Sequence, residues 1–263
     1  MAIEIIFIFV MLCYLVLLLI GIFIFYRMLK TKLFNLFGLA MFFIAYPLTF
    51  FSQFISPNLI YPIVAESSLI FILIFVEETF YKGLKSPFLF LLLIFIILNI
   101  IDSAFRFQFG FKIPLTFSIS SALVIPYYSF AFIVSSQITI TMVWFLYSTL
   151  KSYRVIKKFE IEPWIKRRYL IILVSSFCFA LNGVIVLVIP IEGGYENLII
   201  TYTVGITIIT FSFGNLIGWL MPQKLKNYFN KDFTKIKEEI LSESELLEKI
   251  KSELRGEDFY GNY

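Results

Sequence analysis

Residues 5–25 read IIFIFVMLCYLVLLLIGIFIF, from Ile5 to Phe25, without a single charged side chain. An α-helix rises 1.5 Å per residue, so about 20 apolar residues cross the ~30 Å of a bilayer's hydrocarbon core. The run is too long for the apolar part of a cleavable signal. Its first charge is Glu4 rather than a basic group, and no small-residue cleavage site follows it. It predicts a first membrane helix.

Six further apolar spans follow. The set is approximately 3–26, 34–55, 59–81, 87–106, 120–148, 168–190 and 197–221. Turn signals separate them: Ser56-Pro57-Asn58, Lys85-Ser86-Pro87, Pro114, Pro163 and Glu192-Gly193-Gly194. The fifth span is the longest and is expected to tilt or to extend beyond the bilayer. The predicted fold is all-α, a seven-transmembrane-helix bundle over residues 1–221 with a tail over 222–263.

Composition agrees. The chain is 60% hydrophobic and 15% charged, against roughly 45–50% and about 25% in soluble domains. The 20 basic residues in Arg27–Lys32, Lys82–Lys85, Lys151–Arg168 and Lys224–Arg255 all fall on one side of a seven-span bundle, out of 22 in all. Only Arg106 and Lys112 fall on the other. Cytoplasmic loops retain positive charge. The tail is therefore expected in the cytoplasm, the N-terminus outside, and the protein in the cell membrane as a multi-pass chain. Basic residues set beside spans, rather than gathered on one folded face, predict no nucleic-acid partner.

Several chemistries are excluded by residue type. The chain has no histidine, so imidazole bases and ligands are absent. Cys13 and Cys178 lie inside apolar spans and predict no disulfide framework. Glu77-Glu78 resembles the paired glutamates of certain intramembrane proteases, whose histidines are lacking here. Glu78 and Lys82 instead suit an i,i+4 pair at the membrane surface. Residues 197–221 hold no lysine for a retinal Schiff base. No phosphate-binding glycine loop, metal-ligand cluster or activated nucleophile is visible. The expectation is no enzyme activity, no cofactor and no metal.

Polar groups inside spans are costly and mark candidate sites. Glu66 in span three and Arg106 in span four fall at similar depth. Asn99, Asp102 and Arg106 share one helix face at i, i+3 and i+7. Tyr127 and Tyr128 beside Pro126, Gln53, Asn182 and Tyr202 belong to the same outer layer. The ligand-binding candidates are Glu66, Asp102, Arg106, Tyr127, Tyr128, Asn182 and Tyr202. Ordinary interhelical or local hydrogen bonding is the favoured account of each, with Asp102 paired to Arg106 and Glu66 bonded near Ser67 or Ser68. Thr203, Thr207, Thr210 and Gly214 form a stripe expected to pack against a neighbour, as do Ser176, Ala180 and Gly183.

In the tail, Leu225, Phe229, Phe233, Ile236 and Ile240 give an apolar helical stripe flanked by lysines, the pattern of a helix in the membrane interface. The composition then turns acidic over 238–258. Leu247, Ile250 and Leu254 form a narrow apolar edge that suits a cytoplasmic partner or pairing between copies.

The basic loop running into span six, Trp164-Ile165-Lys166-Arg167-Arg168-Tyr169-Leu170, and an amphipathic helix leaving span seven resemble the seven-helix input modules of prokaryotic sensory proteins. The resemblance is one of topology over about residues 1–240, and no output domain follows. It implies a receptor- or sensor-like protein that passes a ligand or membrane signal to a cytoplasmic partner. Two alternatives stay open: a small-solute or ion transporter or channel with Glu66 as its coupling site, and a non-catalytic subunit of a membrane complex.

Overall fold

The computed structural model describes residues 2–55, 60–109, 124–158, 161–187 and 195–231. Regular structure among them is entirely helical. The long helices are α1 (Ala2–Thr31), α2 (Phe37–Ile55), α3 (Ile60–Val76), α4 (Phe88–Phe109), α5 (Val124–Lys157), α6 (Pro163–Leu187) and α7 (Tyr195–Trp219). A short α8 (Gln223–Phe229) follows Pro222.

Four of these are long and apolar enough to cross a membrane, through Ile8–Thr31, Phe132–Lys157, Pro163–Ile185 and Tyr202–Trp219. Phe34–Thr49 and Phe88–Ala104 are shorter apolar helical stretches. Helix is the form such sequences take in lipid, because it satisfies every backbone polar group within the segment.

Each long helix packs against its neighbours in chain order, α3 also meets α5, α1 closes the set against α7, and α8 rests on α6. The interior is aromatic. Phe179 stacks on Phe211 with centroids 4.7 Å apart, and Phe43 lies 5.6 Å from Phe211. Phe75 stands edge-on to Trp219 at 5.2 Å. Tilted and edge-on ring pairs add to the packing beyond burial alone. The outward surface is apolar too: Leu89 is 76% exposed, and Leu12, Phe177 and Val184 are also exposed. An apolar exterior around a packed interior suits lipid, where close packing and internal hydrogen bonds replace the hydrophobic drive between helices.

Local chemistry explains the irregularities. Pro47 sits inside α2 and removes one backbone donor. Close by, the Thr49 hydroxyl donates to the Tyr46 carbonyl at 2.6 Å and the Ser52 hydroxyl to the Thr49 carbonyl at 2.7 Å. Hydroxyls of this kind help a proline-bearing helix stand in lipid. Gly38 lets α2 approach α3. A Cβ there would fall 2.7 Å from the Phe75 nitrogen, too close for any side chain.

The fifth helix is the longest, as expected, at 34 residues. Helix α3 ends in one π-turn, Glu77–Tyr81. Gly83, at φ 80°, then reverses the chain, and the Leu84 N–H donates to the Tyr81 carbonyl at 2.6 Å. Glu78 and Lys82 form the expected surface pair at 3.2 Å.

Two finer expectations are corrected. The threonine stripe of α7 splits: Thr207 and Gly214 pack inward, while Thr203 and Thr210 are exposed. The pairs 203/210 and 207/214 differ in helical phase by about 40°, enough to divide them between neighbour and exterior. The tail helix also stops at Phe229. Asn230 turns the chain, its N–H donating to the Lys226 carbonyl. Phe233, Ile236 and Ile240 lie outside the described residues.

Candidate functional site

A layer of hydrogen-bonded polar side chains crosses four helices in the half of the bundle away from α8. It begins on α4, whose inward face carries Phe95, Asn99 and Asp102. Asp102 is 2% exposed, and Phe95 is fully buried. Asn99 accepts a hydrogen bond from the Gln137 side-chain amide of α5. Gln137 is itself 2% exposed, and its carbonyl accepts from the Thr141 hydroxyl at 2.8 Å.

Two residues before Gln137 on α5, about half a turn, the Ser135 hydroxyl donates to the Gly183 carbonyl of α6. Gly183 is needed there. A Cβ would strike the Thr139 hydroxyl and lie 3.2 Å from the Ser135 carbonyl. Beside Gly183, the Asn182 side-chain oxygen accepts from the Thr207 hydroxyl of α7 at 2.6 Å. The layer thus runs α4, α5, α6, α7 through bonds that fix the relative height of each pair.

Asn182 is 2% exposed, and its Nδ2 has no hydrogen-bond partner among the described residues. A buried N–H without an acceptor costs about 1–3 kcal/mol.

The expected candidates are distributed as follows. Asp102 and Asn182 are inward and buried within the layer. Tyr202 stands at the α1–α7 contact, half-buried, its ring 4.8 Å from that of Phe9. Glu66, Arg106, Tyr127 and Tyr128 have helical backbones, in α3, α4 and α5, and their side chains lie outside the described residues. Leu247, Ile250 and Leu254 also lie outside them. Among the described residues no cluster of metal-ligating side chains occurs.

A second polar group lies at the α8 end. Arg168 is 4% exposed, with its guanidinium 4.9 Å from the Trp219 ring centroid and 5.5 Å from that of Tyr169. The Trp219 indole N–H donates to the Asn215 side-chain oxygen at 3.3 Å. The Asn215 amide donates to the Phe211 carbonyl at 2.9 Å and reaches the Ser175 hydroxyl of α6 at 3.5 Å.

Below this, Glu162 precedes α6. Its carboxylate accepts from the Trp164 indole N–H and from the Asn230 amide, the latter at 2.9 Å. The Trp164 backbone N–H donates to the Asn230 side-chain oxygen at 3.3 Å. Lys226 caps the Trp164 ring at 4.0 Å. An acid suits this place, because the first N–H groups of a helix are unspent and its dipole favours negative charge.

Gln137, Ser135 and Asn215 were not singled out in the sequence, and Arg168 entered only as part of the basic run into span six. Gln137 and Asn215 carried an available signal, a carboxamide inside an apolar span. No family model, curated protein or solved structure matches the chain.

Proposed function

We propose that the chain is a receptor- or sensor-like integral membrane protein with seven spans, its N-terminus outside and its tail in the cytoplasm. The observation that carries the reading is the pairing of α6 with α7 at both ends. Asn182 and Thr207 join them in the outer layer, and Ser175, Asn215, Trp219 and Arg168 join them at the cytoplasmic end. A guest oxygen taken up by the Asn182 amide favours one arrangement of these two helices. The same two helices lead directly to α8 and the tail. A ligand shifts such an equilibrium only by its differential affinity for the two arrangements, and a buried unspent donor supplies that difference.

The test is an affinity pull-down of the intact protein from native membranes beside a chain lacking residues 243–263. The reading expects a partner that depends on that segment, through Leu247, Ile250 and Leu254. Equal recovery by both chains contradicts it.

Asp102 favours a second reading, a small-solute or ion transporter. A buried intramembrane carboxylate is a frequent coupling group, and Glu66 remains its proposed companion. Cation flux into liposomes holding the purified protein, abolished by Glu66→Gln, would decide for transport. No flux would decide against it.

A further inference from the structure

Helix α8 has seven residues, too few to hold a helix in water unaided. Its position depends on what it touches. Its start follows α7 in the chain after Leu220, Met221 and Pro222. Its end is tied to the start of α6 through Asn230, which bonds the Glu162 carboxylate with its amide and the Trp164 N–H with its oxygen. Lys226 over Trp164 lies between these ties. The helix therefore bridges α7 and α6, the two elements that share the outer polar layer.

We propose that α8 is a releasable strap across α6 and α7, latched by Asn230 on Glu162. The latch closes only when α6 and α7 hold their present register. A shift of α7 along α6 moves Pro222 relative to Glu162 and pulls Asn230 off two acceptor and donor atoms at once. Glu162 and Asn230 are both half-buried, so water replaces the lost partners and opening is not prohibitive. A buried equivalent would stay shut, since an unpaired carboxylate away from water is far more costly. The inference rests on the receptor-like reading for its purpose, and the contact itself is tested independently of any partner.

Trypsin cleaves after Lys226 and Lys231, and both sites lie in or beside the strap. In purified protein in detergent, cleavage there reports the open population when closing is fast. Asn230→Asp sets two carboxylates face to face and removes a charge-assisted bond, so cleavage should rise about tenfold. The exchange Glu162→Gln with Asn230→Asp restores an amide facing a carboxylate, with an acceptor left for each Trp164 N–H. It should return cleavage to within about twofold of wild type. Unchanged cleavage in Asn230→Asp, or no rescue by the exchange, overturns the latch. A third variant, Asn182→Leu, breaks the α6–α7 bond at the far end of the bundle. It should raise cleavage after Lys226 as well. If it does not, the latch stands as a local clamp and the strap does not read the register of α6 and α7, which overturns the proposal while leaving the partner test untouched.

Discussion

Gln137 of α5 donates its side-chain amide to Asn99 of α4, and the bond joins residues 38 apart in sequence. Among the described residues, helix α4 packs chiefly against α3 and α5, so this contact helps to fix its rotation. That rotation in turn keeps Asp102, one turn on, facing inward.

The two amides should behave as a unit. Asn99→Leu strands the buried Gln137 amide and should cost about 1 kcal/mol, within the range of interhelical bonds in lipid. Removing both, in Asn99→Leu with Gln137→Leu, should fall within about 0.5 kcal/mol of wild type, because no unpaired group is then left. Unfolding in mixed micelles with rising denaturant gives both values, and additive losses would show that the amides do not pair.

Gly183 should resist enlargement. Gly183→Ala puts a methyl against Thr139 and the Ser135 carbonyl, and overpacking of this kind costs about 1–3 kcal/mol. Thr139→Ala removes the nearer obstacle and should recover part of the loss. Thermal midpoints of the single and double variants test this, and a harmless Gly183→Ala would mean α5 and α6 are not in close contact there.

Arg168 should be coupled to Trp219. A desolvated cation over an indole face is worth up to about 2 kcal/mol, so Arg168→Gln should destabilise the wild type more than it destabilises Trp219→Leu. A double-mutant cycle with a coupling near zero would leave the Arg168–Trp219 contact without energetic content.

The sequence made the helices legible and their meeting faces much less so. Residues 5–25 admit only helix in lipid, and α1 spans them. The i,i+4 spacing of Glu78 and Lys82 set their pair without knowledge of any other element. Arg168 was hidden because it ends a basic run. Each residue turns the helix by about 100°, so Arg167 is exposed while Arg168 points onto Trp219. The π-turn at Glu77–Tyr81 has no local signature that periodicity detects. Gln137 and Asn99 each announce a polar cost, but their pairing depends on how α4 and α5 are rotated, which is set by all of their neighbours. The tail stripe from Leu225 to Ile240 ignored Asn230, whose side chain bonds Glu162 and Trp164 at the start of α6.

Central to the proposed function is a bundle whose two termini lie on opposite sides of the membrane, the orientation expected from 20 basic residues against two on a seven-span count. The most direct measurement labels intact cells from outside through a tag before Ala2, and in parallel reads a reporter fused after Tyr263 that is active only in the cytoplasm. The expected result is a labelled N-terminal tag together with an active C-terminal reporter. Both termini on one side would contradict the seven-span count, and with it the assignment of the polar layer to the outer half and of α8 to the cytoplasm.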